Sequence, residues 1–276
     1  MQTLSEIRAL LAGRDLRPKH RLGQNFLHDQ NQLRRLINAA HLSRGDVVLE
    51  VGPGTGTLTE ALLEAGAEVI ACELDENMAS IVEERLPIEV IRGDALVRQR
   101  ELNPAIVTRI NGRPFKLVAN LPYQIASPLM TTLLIDHPNC VGQFVTIQKE
   151  VADRLTAGPS TKAYGPLSVI VQAFADVGRI GTLSPSCFWP EPEVTSAMVG
   201  IAPIDERRRA EWGGHEREFA RFVTELFTKR RKQLGTIIGR AHPAWQALAG
   251  LGITPQMRPE ALRVEQHVAL CRHINT

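Results

Sequence analysis

The sequence predicts an α/β protein, a mostly parallel sheet flanked by helices, followed by a small helical C-terminal domain. Three observations carry this expectation. Between residues 40 and 150, short β-branched runs alternate with helix-like stretches, as in sheets whose strands are buried on both faces. The first of these runs ends in a glycine-rich turn that opens a helix. Near Pro203 the pattern becomes polar and helical and stays so to Thr276, dividing the chain into domains 1–203 and 204–276.

The strand candidates are DVVLEV (46–51), AEVIACE (67–73), IEVIRG (88–93), FKLVAN (115–120) and QFVTIQ (143–148). LTEALLEAG, closed by Gly66, and ENMASIVEERL read as helices between them. After Pro166, LSVIVQAFADV and VTSAMVGIA add further helix and strand to the same layer. In the C-terminal domain, EREFARFVTELFTKRRKQL places Phe219, Phe222, Val223, Leu226 and Phe227 at helical spacing.

The chain has 276 residues, 43% of them hydrophobic, enough for a sizeable core. Its cysteines, Cys72, Cys140, Cys187 and Cys271, are far apart with no CxxC pair, which argues against a zinc site and a disulfide framework and for a reducing cytoplasm. The histidines lack metal-ligand spacing, and no metal is expected. The opening MQTLSEIRALLAGRD has no signal-peptide pattern and no apolar run is long enough to span a bilayer, so neither export nor membrane insertion is expected. A formal net charge of +2 conceals an uneven distribution. Arg8, Arg14, Arg17, Lys19, Arg21, Arg34 and Arg35 at one end, with ERRRAEW and FTKRRKQL at the other, flank an acidic stretch from 46 to 103. Each run alone reads equally as a solvated helix face, but the two together point to a phosphate-rich partner.

The chemistry concentrates at the strand ends. EVGPGTGTL (50–58) brings Gly52, Gly54 and Gly56, whereas the last glycine of a dinucleotide fingerprint would fall at Thr57, which disfavours a nicotinamide or flavin dinucleotide. Glu73 ends the second strand, placed either to hold a ribose diol or to cap the next helix. Asp94 follows the third and is either an acceptor for an adenine amino group or a cap. Together, at successive strand ends, they describe an adenosine pocket. It is not a P-loop, since no GK[ST] follows the glycines. At the end of the fourth strand stand Asn120, Leu121, Pro122 and Tyr123, an amide, a stiff turn and an aromatic face.

This combination resembles the class I S-adenosylmethionine-dependent methyltransferase fold, Rossmann-like with a mostly parallel seven-stranded sheet. NLPY resembles the motif of enzymes that methylate exocyclic amino groups of nucleobases. RLGQNFLHDQ (21–30), QKEVADRLTAGPSTKAYGPLSV (148–169) and CFWPEPEVTSAMV (187–199) are similar to blocks of the ribosomal RNA adenine dimethyltransferases of KsgA type, and RPEALRVEQ adds an echo near the end. Thr55, Thr57 and Trp189 are mild departures that remove no group the chemistry needs.

The resemblance implies a cytoplasmic, monomeric enzyme without membrane association. Its methyl donor would be S-adenosylmethionine and its substrate small-subunit ribosomal RNA within an immature 30S subunit. There it would place two methyl groups on N6 of each of two adjacent adenosines near the RNA's 3′ end, in ribosome biogenesis. The alternatives are a large-subunit adenine dimethyltransferase of the macrolide-resistance type and a non-catalytic assembly or transcription factor on the same fold. Carried over residue by residue, Asn25, Leu27, Gly52, Glu73, Asp94 and Asn120 hold the methyl donor. Asn120 would accept one proton of the amine through its side-chain oxygen and the carbonyl of Leu121 or Pro122 the other, Pro122 also stiffening the turn, while Tyr123 and Phe188 would sandwich the adenine ring. The C-terminal domain would grip RNA.

Overall fold

The computed structural model describes residues 1–98, 101–205 and 211–274. The basic residues Arg207, Arg208 and Arg209 of ERRRAEW lie outside the described residues. The chain forms two compact units, residues 1–152 with 178–203, and residues 153–177 with 204–276. The sequence points to a division at 203 alone. The structure adds 153–177 to the second unit.

A seven-stranded sheet comprises β1 (Val47–Val51), β2 (Glu68–Glu73), β3 (Val90–Arg92), β4 (Phe115–Asn120), β5 (Cys140–Gln148), β6 (Ala175–Leu183) and β7 (Ser196–Pro203), in the order β3-β2-β1-β4-β5-β7-β6. β1 is parallel to β2 and β4, β2 to β3, and β4 to β5, whereas β7 runs antiparallel to β5. All five residues of β1 are buried, in keeping with its apolar run. The order reverses between β1 and β4, and such a switch point opens a crevice at the carboxyl ends of the strands. Gly52 and Asn120 stand at that crevice.

Local chemistry sets the helix starts. Asp29 caps helix Gln30–Ala39, its Oδ1 accepting the N–H groups of Asn31 and Gln32. Helix Thr57–Glu64 starts at Gly56, whose φ of 86° needs no Cβ. Helix Tyr123–Asp136 starts behind Pro122, and Pro122 C=O accepts the N–H of Ile125 in its first turn. This helix and the one at Pro104–Ile110 have no counterpart among the helices picked out by periodicity. LSVIVQAFADV is divided: helix Pro166–Phe174 gives way to β6 at Ala175.

In the second unit, Phe174, Trp212 and Phe219 pack ring on ring, and the buried Tyr164 donates its hydroxyl to Leu262 C=O at 2.8 Å. Helix Glu216–Thr228 stops before the basic run. Lys229 to Lys232 form a turn, and a short helix restarts at Leu234. The basic run is therefore not a helix face. No apolar residue stands between Phe227 and Leu234, so nothing there drives burial, and the N–H groups of Leu234 and Gly235 bond instead to Met257 and Pro255 carbonyls. Among the described residues no helix is long and apolar enough to cross a membrane.

Candidate active site

The glycine turn shapes a cavity of about 460 Å3 at the carboxyl end of β1. Gly52, Gly54 and Gly56 all have positive φ. A Cβ on Gly54 would come within 2.9 Å of the Phe26 ring, and one on Gly52 within 3.2 Å of Pro122. Glycine is needed here for space as well as for conformation. Behind the turn, Thr57 donates to Gln2 Oε1 at 2.7 Å, the N-terminal amine pairs with Glu60 at 3.1 Å, and Arg85 bonds Thr55 C=O.

Two acids face this cavity from neighbouring strands. Glu73, buried at the end of β2, accepts the N–H of Gly54 at 3.1 Å and of Asp75 at 2.9 Å. Burial pushes its carboxyl up, against those two N–H groups that hold it down. It is not the helix cap; Asp75 is, with Asn77 N–H at 3.2 Å. Glu50, in β1, is fully buried, and its Oε2 has no hydrogen-bond partner among the described residues. Burial pushes Glu50 up to about 8. Asp94 is exposed and lines the same cavity, its Oδ1 accepting Leu96 N–H at 3.0 Å, so it also serves the turn.

A strap closes the cavity's other side. Lys19 Nζ and Gln24 Nε2 each bond the Asp75 carboxylate at 2.8 Å, anchoring the segment that carries Asn25 and Leu27. Asn25 C=O accepts from Asn120 Nδ2 at 3.0 Å, which turns the amide's donor end to the strap, uses one of its two N–H groups and leaves Oδ1 as an acceptor. Asn25, Leu27, Gly52, Glu73, Asp94, Asn120 and Pro122 all line this cavity. Glycines that admit a ligand backbone-close, a carboxylate placed for hydroxyls and a buried oxygen lacking a partner fit a cationic adenosine derivative such as S-adenosylmethionine. Among the described residues no cluster of three or more His, Cys, Asp or Glu is placed to hold a metal.

Tyr123 lies outside this cavity and lines a second one, with Pro18, His20, Gln148 and the loop from Pro190 to Val194. Gly23, Gln24, Asn25 and Gln124 line both. The NLPY turn is thus a partition, with Asn120 and Pro122 on one side and Tyr123 on the other.

One expected residue acts through its backbone alone and another is placed differently. The Leu121 side chain is buried, and its N–H bonds Thr146 C=O, so only its carbonyl is available to chemistry. Phe188 corrects the expectation of a free aromatic face: it is 2% exposed and lines neither cavity. Its two-residue strand pairs antiparallel with Phe26–Leu27, setting Phe188 opposite Leu27 and turning its ring into the core. The neighbouring Trp189 faces Phe26, with Arg8 over its ring at 5.3 Å. Sequence reasoning assigned no role to Glu50, Gln24 or Asp75. The one available signal was an acid inside an otherwise apolar strand, Glu50.

Residues 16–276 match the family described as Ribosomal RNA adenine dimethylase. A Streptomyces griseus protein named Ribosomal RNA small subunit methyltransferase A is 40% identical over 278 residues, covering 98% of this chain and 94% of that one. Its namesake in Lactobacillus helveticus is 36% identical over 275 residues, covering 94% and 92%. Among solved structures, a dimethyladenosine transferase from Plasmodium falciparum superposes with a TM-score of 0.70 at 24% identity, covering 91% of this chain and 97% of that one. The 23S rRNA methyltransferase ErmE does so with 0.67 at 24%, covering 91% and 100%. These two likenesses concern the fold.

Proposed function

The chain belongs to the ribosomal RNA adenine dimethylase family, and from that premise we propose that it dimethylates N6 of two adjacent adenosines near the 3′ end of small-subunit ribosomal RNA. The small subunit is favoured over the large because the relatives at 36–40% identity carry the small-subunit name, whereas the large-subunit enzyme resembles the chain only in fold. Its setting would be an immature subunit in the cytoplasm, met by a monomer.

The observation that carries this reading is the partition. Asn120 lines the first cavity with its amide nitrogen bonded to Asn25 C=O, and three residues on Tyr123 opens on the second. In the first, Glu73 would hold the ribose, Asp94 the adenine amine and Gly52 the close backbone approach, while Glu50 would face the ligand's positive charge. Bound there, S-adenosylmethionine supplies an electrophilic methyl: a bond to N6 forms as the C–S bond breaks and its electron pair leaves with sulfur. In the second, Tyr123 would stack against an adenine extruded from its RNA. Phe188 would support that site only from behind, through the strand it forms with Leu27.

The adenine amine is a weak nucleophile, its lone pair delocalised into the ring. Asn120 Oδ1 would accept one of its protons and the Leu121 carbonyl the other, drawing the nitrogen towards a tetrahedral shape. Pro122 C=O already accepts Ile125 N–H, which favours Leu121 as the second acceptor. The methylated nitrogen is acidic enough to lose its proton to water, so no strong general base is required. The test is Asn120→Ala in single-turnover transfer from tritiated donor. A fall in the chemical step with substrate affinity kept supports the reading, because the lost interaction is one that strengthens towards the transition state. Full activity in the variant would remove Asn120 from the chemistry.

A further inference from the structure

Tyr123 is tethered. Its Oη lies 2.9 Å from Ser196 Oγ, and Ser196 is 0% exposed. Ser196 opens β7 opposite Gln148, the last residue of β5, and the adjoining Thr195 C=O accepts Lys149 N–H at 2.9 Å, so the serine is held by the sheet. It lines neither cavity. Tyr123 itself begins a helix whose cap, Pro122, makes no side-chain bond, and its ring is only half-buried. Nothing else described at this position sets the ring's rotamer so directly, and an untethered side chain moves between staggered wells. Burial pushes the phenol up, so its hydroxyl stays intact as a hydrogen-bonding group.

Resting on the assignment of the second cavity to the acceptor adenine, we propose that Ser196 is a positioning residue. Through the Tyr123 hydroxyl it locks the ring on which the base stacks, and the lock retains the singly methylated base for its second transfer. Dimethylation sets this demand: between transfers the spent donor must leave the first cavity and a fresh one enter, while the monomethyl base stays or escapes. The product ratio reports that partition. A ring free to swing holds the base less well and favours escape.

The test is a double-mutant cycle on the full chain, with Tyr123→Phe, Ser196→Ala and both, using small subunits that lack the modification and tritiated S-adenosylmethionine. Each single variant should slow transfer roughly 3- to 10-fold, the worth of one net hydrogen bond, and raise the share of monomethyladenosine released. Donor affinity should stay close to wild type, while the melting temperature should fall by only about 2–8 °C, the effect of one lost hydrogen bond on folding. The double variant should be no slower than the slower single one, because both changes remove the same bond. Singles whose effects multiply in the double variant, or singles that keep the wild-type product ratio, would overturn the inference. Those outcomes leave the acceptor assignment standing. A wild-type protein that transfers no methyl would instead overturn the assignment itself, and this inference with it. Tyr123→Phe probes the bond from the exposed side, so it remains decisive if Ser196→Ala folds poorly.

Discussion

Glu50 and Glu73 face one cavity from adjacent parallel strands, and the charge of Glu73 adds to burial in keeping Glu50 protonated up to about 8. A carboxyl raised above its ordinary value of 4.5 contributes stability that is full below that value and is lost as pH rises towards 8. Glu50→Gln cannot ionise and should escape this loss. Without ligand it should be more stable than wild type at about pH 9, on the order of a few kcal/mol, with the gap closing near pH 5. Above about pH 8, where the wild-type carboxyl ionises and the amide does not, it should also bind S-adenosylmethionine more weakly. Thermal unfolding across pH checks the first statement; parallel profiles for the two proteins would contradict it.

Glu73→Ala and Asp94→Ala should each weaken S-adenosylmethionine binding by about 1–3 kcal/mol, the cost of a lost partner for a bound polar group. Glu73→Ala should in addition loosen the glycine turn, since it removes the acceptor of Gly54 N–H. Calorimetry on folded variants reads both, and unchanged affinity would remove these residues from the pocket.

The basic turn divides by role. Lys229, Arg231 and Lys232 are exposed, whereas Arg230 pairs with Glu260 at 2.5 Å and reaches the carbonyls of Thr161 and Lys162. Neutralising the three exposed cations should weaken RNA binding and reduce its salt slope by roughly 0.7–0.9 for each phosphate left without its cation. Arg230→Ala should act mainly on stability. RNA affinity unchanged by the triple variant across a salt series would make the turn a merely solvated one.

How much of this was legible follows from where the signal lies. Buried parallel strands are continuous apolar runs, and β1, β2 and β4 could be read almost to their ends. Glycine and acid at strand ends are local features, so Gly52, Glu73 and Asp94, which line the first cavity, could be singled out without a structure. Phe188 was misplaced because its orientation depends on pairing with Leu27, far away in the chain, which no local pattern encodes. Gln24 and Asp75 were missed for the same reason: their bond joins residues 51 apart. The extra β6 was hidden because Ala175–Leu183 reads neither as an apolar run nor as clean alternation, only its two end residues being buried.

In the second unit, His267 is fully buried beside Tyr164 and Phe227, and burial pushes it down to about 4 from 6.5. A histidine held neutral contributes stability that is full above 6.5 and is lost as pH falls towards 4, because the unfolded chain takes up the proton first. The loss should be on the order of 2–3 kcal/mol. His267→Leu should flatten it, as read by denaturant unfolding at pH values across that window. An equally steep acid slope in the variant would place the sensitivity elsewhere.

The most direct test of the central claim is mass mapping of small-subunit RNA after incubation of unmodified subunits with the wild-type protein and isotopically labelled S-adenosylmethionine. The expected result is two adjacent N6,N6-dimethyladenosines near the 3′ end, each carrying two labelled methyl groups. Subunits that bind the protein yet gain no label, or gain it at an atom other than adenine N6, would contradict the account.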